Sequence, residues 1–401
     1  MAIVVQKYGG SSVGTIGKIK NVARRVAKRR EAGDQVVVVV SAMGKTTNML
    51  VGMAKEISEN PPTREMDMLM STGEQISISL LSIALKELGF DSISMTGFQA
   101  GILTGGRHTN ARITDIEISN VKEELDKGKI VVVAGFQGVN EKGNITTLGR
   151  GGSDTTAVAL AAKLSCNCEI YTDVEGIYTV DPRLYAEAKK LEAISYEEMM
   201  EMASLGAGVM QTRSVEIGQK FGVPIYVALS TEERPGTYIK EHDASMEEKV
   251  ITGLSVSDDD IMITINGIPY STKVVSVLFE KLAERDVNID MISQTAPHDG
   301  FINISFTADK GDLNSIREVI SDFENENGGV RSEIDEEITK LSVVGNGMRT
   351  HSGVAAKMFK ILAENEIEFK QVTTSEIRIS YTINPKDKIK AVHAIAKVFD
   401  L

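Results

Sequence analysis

Short apolar runs alternate with amphipathic stretches along about the first 240 residues of the chain. Runs rich in valine and isoleucine read AIVVQ from residue 2, QVVVVV from residue 35 and KIVVVAGF from residue 129. Strands that are apolar on both faces are buried on both faces, so these runs predict a mainly parallel sheet covered by helices. ISISLLSIALKEL, from residue 76, has helical periodicity and is followed by Gly89, the usual residue of a C-terminal cap.

A Pro-Gly turn and a run of charged residues interrupt this pattern in ERPGTYIKEHDASMEEK, residues 233–249. We therefore place a domain boundary near residue 245. An internal repeat follows, since LFEKLAERDVNIDMI from residue 278 matches MFKILAENEIEFKQV from residue 358. Each copy predicts a strand, a turn with glycine, a helix and two more strands. We expect one domain over 1–245 and two small αβ domains over 246–335 and 336–401.

Composition narrows the class of protein. The 401 residues carry a formal net charge of −12 without a dominant basic face, which argues against nucleic acid or an anionic membrane as partner. Cys166 and Cys168 are too close for a good disulfide, and they lack the second ligand pair of a zinc site. Reduced thiols, no signal pattern and no apolar stretch of bilayer length lead us to expect a soluble cytoplasmic protein.

The first candidate for chemistry is the turn after the first strand, KYGGSSVG from residue 7. Backbone N–H groups of a glycine-rich turn before a helix form a concave anion site, and Lys7 adds a full positive charge. The spacing is not that of a Walker motif. A tight turn alone also explains the glycines, so this loop by itself leaves both interpretations open.

A second glycine loop, TTLGRGGSDTTAV from residue 146, changes the balance. Ser153 and Asp154 stand where a helix begins, and N-capping alone would explain both residues. It does not explain Arg150 among three glycines, because a guanidinium binds carboxylates and phosphates and glycine lets a ligand approach the backbone. Two glycine loops with one cation each indicate a ligand with two anionic ends.

Three further segments supply candidate residues, and two of them have competing explanations. Ser41 follows the valine strand, at the carboxyl end where open α/β sheets bind ligands. Glu74 forms a capping box with Ser71, which spacing alone favours, whereas a carboxylate near the glycine loops would hold an ammonium group. In YTDVEGIYTVDPR, from residue 171, turn chemistry accounts for Gly176 and the Asp-Pro pair, and Tyr178 followed by polar residues would also suit a purine pocket.

The sequence offers neither a histidine–cysteine cluster for a metal nor a motif for acyl transfer, and no general base stands out. A carboxylate that attacks the terminal phosphoryl group of a nucleotide is already ionised at neutral pH. Such a reaction needs alignment and charge neutralisation rather than proton abstraction. Two cationic glycine loops supply both.

Taken together and in order, these motifs resemble the aspartokinase family over essentially the whole chain. The motifs are KYGGSSV, VVVSAMGKTTN, STGEQIS, AGFQGV, TTLGRGGSDTTAVALA, YTDVEGIYTVDPR, SVVGNGMRTHSGVAAKMF and TSEIRIS. The resemblance implies an α/β protein with a three-layer αβα amino-acid-kinase fold around a mainly parallel sheet. Two interleaved, ferredoxin-like (βαββαβ) ACT domains would follow. The implied reaction transfers the γ-phosphoryl group of Mg²⁺-bound ATP to the side-chain carboxylate of L-aspartate, the first step toward lysine, threonine and methionine.

The resemblance also assigns residues. Catalysis would fall to Lys7, Arg150 and Asp154, with Lys7 on the transferring phosphoryl group. L-Aspartate would be held by Ser41, Thr47, Glu74, Arg150 and Ser153, with Glu74 on its ammonium group. ATP would contact Lys7, Tyr8, Gly9, Gly10, Ser11, Thr172, Asp173, Tyr178, Asp181 and Arg183. An amino-acid effector would bind Asp290, Met291, Ile292, Ser293, Gln294, Thr374, Ser375 and Glu376, and no residue is assigned to a metal.

One departure from the family concerns LGAGVMQTR, where Gly208 replaces a lysine that contacts nucleotide phosphates in many members; Arg213 is a candidate to compensate. The resemblance further implies feedback control, with lysine favoured as effector and threonine the alternative, and a homodimer through the ACT domains, or a tetramer. Two other hypotheses stay open. The same fold could serve another acceptor, such as N-acetylglutamate, glutamate, carbamate or a nucleotide, or the kinase domain could be a non-catalytic sensor.

Overall fold

The computed structural model describes residues 2–206, 208–243 and 249–401. It divides into two compact units, which are described separately. The first unit comprises residues 2–177, 190–204 and 208–243, and the second comprises 178–189, 205–206 and 249–401. The boundary predicted at residues 245 and 246 lies outside the described residues.

The first unit contains a central sheet of eight strands. They are β1 (Ile3–Tyr8), β2 (Gln35–Val40), β3 (Ser92–Met95), β6 (Ile130–Ala134), β9 (Asn167–Thr172), β10 (Ala193–Ser195), β11 (Ile225–Leu229) and β12 (Thr237–Lys240). Their order is β10-β12-β11-β9-β1-β2-β6-β3, and every neighbouring pair is parallel except β11 with β12. The valines at 36–40 are fully buried, as expected for a strand covered on both faces.

A second, smaller sheet in this unit has four strands. They are β4 (Ile102–Gly105), β5 (Arg112–Ile116), β7 (Gln137–Asn140) and β8 (Ile145–Thr147), in the order β5-β4-β7-β8. The hairpin of β7 and β8 is antiparallel, as the turn residues between them predict. β4 and β5 are too short and too polar to stand out in the sequence.

Eight helices accompany these sheets. They are α1 (Ile16–Glu31), α2 (Thr46–Ile57), α3 (Thr63–Met70), α4 (Thr72–Glu87), α5 (Ser119–Asp126), α6 (Gly152–Leu164), α7 (Tyr196–Ser204) and α8 (Thr212–Phe221). Val22 and Val26 of α1 and Leu81 and Leu85 of α4 share one buried cluster with alternate valines of β2. The predicted three-layer arrangement of the kinase fold is confirmed.

The pair α3 and α4 bears on one expectation from the sequence. Only Ser71 separates them, and the 25 residues Thr63–Glu87 are long and apolar enough to cross a membrane by length and composition alone. That this stretch passes such a test was not anticipated from the sequence. Half of the stretch's most apolar window is buried inside the protein, as in a core helix, which passes the same test.

The second unit contains two antiparallel sheets with helices. Its strands are β13 (Gly253–Ser257), β14 (Asp260–Pro269), β15 (Ile289–Gln294), β16 (Phe301–Asp309), β17 (Arg331–Asp335), β18 (Thr339–Val344), β19 (Phe369–Thr374) and β20 (Arg378–Ile383). Its helices are α9 (Thr272–Glu284), α10 (Leu313–Glu326), α11 (Val354–Glu364) and α12 (Lys388–Phe399). The sheet orders are β15-β16-β14-β17 and β13-β18-β20-β19, the ferredoxin-like arrangement of ACT domains.

The two ACT sheets are not consecutive in sequence. β13 precedes the whole first sheet, yet it pairs with β18 and completes the second sheet. Residues 178–189, which interrupt the first unit in sequence, also belong to this second unit, because Leu184 and Tyr185 pack against the core of its second sheet. The ring of Tyr185 meets His393 of α12 edge-on at 5.2 Å, and His393 Nε2 donates to the Leu184 carbonyl oxygen at 3.2 Å.

A buried ion-pair network joins the two ACT sheets. Lys340 of β18 lies 2.8 Å from Asp260 Oδ1 and 2.9 Å from Asp290 Oδ2, and its side chain is 4% exposed. Arg378 adds a contact of 3.2 Å to Asp290 Oδ1. Because charges out of water are costly unless they are paired, each member of this network depends on the others.

We expect Lys340→Met to destabilise the second unit by roughly 3–5 kcal/mol, because it leaves two carboxylates with less compensation in a buried site. The control is Lys360→Met, since Lys360 is 72% exposed and pairs with Glu364 at only 3.6 Å. An exposed pair of that kind contributes under about 0.5 kcal/mol. Differential scanning calorimetry of both variants measures the difference, and equal melting temperatures would contradict the importance of the network.

Candidate active site

A cavity of about 250 Å³ opens in the first unit where β1 and β2 end and α6 begins. It brings together eight of the predicted residues: Lys7, Gly10, Ser41, Thr47, Glu74, Arg150, Ser153 and Asp154. Neighbouring parallel strands end at one edge of the sheet, so loops far apart in sequence meet there. The position agrees with the rule that open α/β sheets bind ligands at the carboxyl ends of their strands.

Lys7 and Asp154 form the electrostatic centre of this cavity. Lys7 Nζ lies 2.5 Å from Asp154 Oδ1, and the two side chains are only 10% and 11% exposed. Asp154 belongs to the first turn of α6, where the helix dipole favours a carboxylate. Neither Ser153 nor Asp154 caps the helix, because the N-cap position is Gly151, so the capping explanation for these two residues does not hold.

The glycines let backbones approach each other closely. A Cβ atom at Gly10 would lie 2.8 Å from the Ala42 carbonyl oxygen, so only glycine fits between the loops after β1 and β2. The Gly44 N–H donates to the Gly10 carbonyl oxygen at 3.0 Å and fixes the two loops together. Gly151 has φ of +71°, a left-handed conformation that side chains disfavour.

Glu74 belongs to the cavity and not to a capping box. Ser71 is itself helical (φ −61°, ψ −18°) because α3 runs almost directly into α4, and its hydroxyl donates to the Met68 carbonyl oxygen at 2.9 Å. Glu74 Oε1 accepts the Ala42 N–H at 3.0 Å instead. The capping box that spacing alone favours is therefore wrong, and the alternative interpretation of Glu74 as a cavity carboxylate describes its position.

The second oxygen of Glu74, Oε2, is buried and has no hydrogen-bond partner among the described residues. Burial raises the pKa of Glu74 to about 7, against the opposing effect of the Ala42 N–H bond. A carboxyl group held half-protonated near neutral pH is poised to ionise when a cation arrives. This arrangement suits a ligand that brings an ammonium group.

Sequence reasoning missed Phe136, which also lines the cavity. Its φ of +70° is left-handed, which costs a non-glycine residue roughly 1–2 kcal/mol. The Phe136 N–H donates to Thr156 Oγ1 at 3.1 Å, and its carbonyl oxygen accepts the Leu148 N–H at 2.9 Å. Phe136 is thus held by α6 and by the glycine loop that carries Arg150 (residues 148–152, the arginine loop). Asn48 of α2 was missed as well, although Phe136 lies in the motif AGFQGV and Asn48 ends the motif VVVSAMGKTTN, so motif membership was the signal that could have found both.

Two charged residues fix the segments around the arginine loop. Asp67, fully buried, accepts Thr147 Oγ1 at 2.6 Å and the Thr109 N–H at 2.9 Å on Oδ1. Arg213 donates to the carbonyl oxygens of Leu148 and Ala111 at 3.0 and 2.8 Å. Its guanidinium is thus engaged with backbone, and it does not line this cavity, so the structure gives no support to Arg213 as the substitute for a lysine at position 208.

The remaining residues predicted for ATP in this unit lie beside the cavity. Gly9 and Ser11 follow β1, and the Gly9 N–H donates to the Tyr171 carbonyl oxygen at 3.3 Å. The Tyr8 ring is fully buried and stacks on Tyr171 at 5.0 Å, so its side chain belongs to the core. Thr172 ends β9, the neighbour of β1, and Asp173 follows it; Thr172 Oγ1 donates to Asp173 Oδ1 at 3.0 Å.

Three other residues predicted for ATP, Tyr178, Asp181 and Arg183, belong to the second unit. Arg183 Nη2 pairs with Asp181 Oδ2 at 2.6 Å, and the Arg183 side chain is 89% exposed. The structure does not bring these residues into the cavity around Lys7. Their assignment stays a prediction.

The predicted effector segments lie on the edge strands of the two ACT sheets. Residues 290–294 belong to β15 and Thr374 ends β19, while Ser375 and Glu376 form the turn that follows. Gln371 of β19 joins the strands, because its Nε2 donates to Ser293 Oγ at 3.0 Å. Met291 is buried, whereas Ile292 is half-exposed.

Two family profiles match parts of this chain. The profile of the Amino acid kinase family matches residues 2–229, and that of the ACT domain matches residues 341–399. The fold and the site thus define an amino acid kinase with a C-terminal ACT domain. Aspartokinase 2 of Bacillus subtilis (strain 168) is 48% identical over 402 residues, which cover 100% of this chain and 98% of that protein. The chain belongs to the aspartokinase family.

Two solved structures of E. coli aspartokinase III share the fold at 23% identity. The complex with aspartate and ADP (R-state) gives a TM-score of 0.82 and covers 98% of this chain and 99% of that one. The complex with lysine and aspartate (T-state) gives a TM-score of 0.78 and covers 99% of both chains. At this identity the comparison shows the fold alone.

The raised pKa of Glu74 predicts a pH-dependent effect of Glu74→Gln on stability. An unfolded glutamate ionises near its ordinary pKa, whereas the folded one stays protonated until about pH 7, so the native state loses stability between these values. The substitution removes this loss, and we expect it to stabilise the protein at pH 8 by up to about 3 kcal/mol.

Near pH 3.5, about one unit below the ordinary glutamate value of 4.5, the same substitution should have almost no effect, because Glu74 is then largely protonated in both the folded and the unfolded chain. Glu87→Gln, at the exposed end of the same helix, serves as the matched control. Thermal unfolding at the two pH values measures the effect. A stability change that is the same at both would show that Glu74 titrates normally in the folded protein.

Proposed function

We propose that this chain transfers the γ-phosphoryl group of ATP to the side-chain carboxylate of L-aspartate and forms 4-phospho-L-aspartate. One observation carries the proposal: in a member of the aspartokinase family, Lys7, Glu74 and Arg150 line one small cavity between two glycine loops. The two cations, Lys7 and Arg150, and the carboxylate of Glu74 can therefore bind one ligand that carries both negative and positive charge.

The amino acid is held by charge complementarity. Glu74 accepts the ammonium group on Oε2, the buried oxygen that has no partner among the described residues. Arg150, exposed on its glycine loop, binds the α-carboxylate, since a guanidinium matches two carboxylate oxygens. Ser41, Thr47 and Ser153 line the same cavity and supply hydroxyl donors. This leaves the side-chain carboxylate free to face the nucleotide.

The chemical step then needs no base. A side-chain oxygen of aspartate forms a bond to the γ-phosphorus, the bond from that phosphorus to the bridging oxygen breaks, and ADP leaves with the electron pair. Lys7 neutralises charge on the transferring group, and Asp154 fixes the direction of the Lys7 side chain. Because the donor is held in place before the reaction, no reorganisation is required when charge develops.

We propose that ATP binds with Mg²⁺ near the Gly9–Gly10–Ser11 turn, with Thr172 and Asp173 beside it. No group of three or more acidic, histidine or cysteine side chains that could hold a metal occurs in residues 2–206, 208–243 and 249–401. Two carboxylates line the cavity, and with Glu74 assigned to the ammonium group only Asp154 is left near the phosphates, which fits an ion held chiefly by phosphate oxygens. When bound, Mg²⁺ would neutralise negative charge on the β- and γ-phosphates.

We further propose that lysine, which E. coli aspartokinase III binds, inhibits this chain at the ACT sheets, with threonine as the alternative effector. β15 and β19 each end a sheet order among the described residues, and strand edges of this kind support a homodimer through these sheets. Free Cys166 and Cys168 support a reducing, cytoplasmic location. If the initial rates stay unchanged in millimolar lysine and threonine, singly or together, the proposed feedback inhibition is refuted.

An ADP-release assay tests the proposed reaction. We expect release with ATP and L-aspartate, and none with N-acetylglutamate, glutamate or carbamate as acceptor. Lys7→Met should lower kcat by about 10²–10³, because it removes a preorganised charge from the transition state. Lys20→Met, at an exposed position of α1, is the control for the same substitution.

The outcome that contradicts the proposal is release with another acceptor but not with L-aspartate. No release with any acceptor would favour the non-catalytic sensor instead. Because Lys7→Met could also reduce folding, Lys7→Arg is measured beside it: it keeps the charge and should retain more activity than the methionine variant.

Position 208 offers a second test. A Cβ atom at Gly208 would meet nothing within 4 Å, so a longer side chain has room there. If the lysine of many aspartokinases contacts phosphate, Gly208→Lys should lower the KM for ATP several-fold and leave the KM for aspartate unchanged. Gly208→Met has similar length without charge and should not lower it. Equal effects of the two substitutions would contradict a phosphate contact at this position.

A further inference from the structure

A second cavity in the first unit, of about 760 Å³, shares no residue with the active-site cavity. All of its lining residues belong to three elements: β5, α6 and α8. Pockets that hold small ligands usually measure roughly 300–1,000 Å³, so this one is large enough for a molecule the size of a nucleotide.

The charges around this cavity differ from those of the whole chain. Four cations line it, Arg112, Lys163, Arg213 and Lys220, against two anions, Asp115 and Glu216. The chain as a whole carries a net charge of −12. Lys163 and Asp115 neutralise each other at 2.5 Å. In the described part of the chain, neither Arg112 nor Lys220 has a carboxylate within ion-pair distance, so the cavity holds uncompensated positive charge.

The half-buried Arg213 makes part of this excess charge costly, and the exposed Arg112 adds a second positive charge to it. Arg213 is half-buried, and its guanidinium donates two N–H groups to the carbonyl oxygens of Leu148 and Ala111. These carbonyl oxygens carry no full negative charge and so do not neutralise it. Burial lowers the pKa of Arg213, and the positive charge of Arg112 lowers it further, while Glu216 opposes both effects. Like charges brought together at a partly buried site are relieved when an anion binds between them.

The rest of the lining is apolar. Ala159 and Ala162 of α6 face Ile217 and Phe221 of α8 across the cavity, with Ile113 of β5 beside them. The Phe221 ring is 59% exposed, and the Lys220 ammonium group lies 5.4 Å from its centroid. An exposed aromatic ring beside a cation offers a stacking surface next to a charged group.

We propose that this cavity binds a small amphipathic anion, a molecule with a planar apolar body and a carboxylate, sulfonate or phosphate group. The anionic group lies between Arg112 and Arg213, and the apolar body packs on Ile217 and Phe221. The active-site cavity is smaller, about 250 Å³, and is lined chiefly by glycine, hydroxyl and charged residues, so the two cavities favour different ligands.

Charge complementarity favours this occupant over a second copy of the chain. A surface that carries unpaired cations attracts an acidic partner, and a small anion satisfies the guanidinium groups without ordering a larger interface. A copy of this chain would have to bring its own carboxylates and bury the same apolar residues. That alternative is distinguished below by its effect on oligomeric state.

Isothermal titration calorimetry of the full chain with 8-anilinonaphthalene-1-sulfonate tests the proposal. The probe has an aromatic body and one sulfonate group. We expect binding that weakens as salt is added, and a dissociation constant at least tenfold higher in the double variant Arg112→Gln/Lys220→Gln. Arg112→Lys, which keeps the charge, should bind more tightly than Arg112→Gln. Lys122→Gln, at an exposed position of α5, is the matched control.

Calorimetry would overturn the proposal if the double variant bound the probe as tightly as the unaltered chain. It would also do so if Lys122→Gln weakened binding as much as the double variant does. Either result would place the probe elsewhere. Sedimentation velocity of the double variant is the second test. A changed oligomeric state would overturn the proposal, because it would show that this face lies between copies of the chain. Neither measurement uses turnover, so both are independent of the proposed reaction.

Discussion

The buried contact between Lys7 and Asp154 is the interaction on which the rest of the site depends. It joins the end of β1 to the first turn of α6, two elements that lie far apart in sequence. Removing both charges from water costs several kcal/mol per ion, and the mutual attraction offsets this only at close range. The contact with Asp154 therefore holds the charged Lys7 side chain inside the cavity in one orientation. A substrate phosphate can use that charge because Asp154 has already fixed its position.

Close backbone packing places the other groups around this pair. The loops after β1 and β2 meet at Gly10, where a side chain would collide with the Ala42 carbonyl oxygen. Ala42 also donates its N–H to Glu74, so one short segment fixes a glycine loop and a cavity carboxylate together. The arginine loop is held from outside the cavity by Asp67 and Arg213. Arg150 itself stays exposed and available to a ligand, while its supports are rigid.

The sequence predicted the parts of this arrangement that follow from repeated patterns. Runs of valine marked the inner strands because burial on both faces leaves no room for polar residues, and the repeat marked the paired ACT units. Motif order identified most of the cavity. Glu74 was harder, because the same spacing suits a capping box and a ligand contact. Only the near-continuous path of α3 into α4, which makes Ser71 helical, decides between them.

Other features could not be predicted because they depend on tertiary contacts. The left-handed backbone of Phe136 is stabilised by Thr156 and Leu148, which no local pattern connects to it. Residues 178–189 lie within the kinase sequence but complete a core of the second unit, since Leu184 and Tyr185 find their apolar partners there. The buried carboxylate of Asp67 finds its partners only when His108, Thr109 and Thr147 come together around it.

A crystal structure with L-aspartate and a non-hydrolysable ATP analogue tests the central claim most directly. The account predicts that Lys7 Nζ lies within about 3 Å of a γ-phosphate oxygen while it still contacts Asp154. Glu74 should meet the ammonium group of aspartate, and Arg150 its α-carboxylate. A structure in which Lys7 contacts neither molecule, or in which Arg150 points away from both, would contradict it.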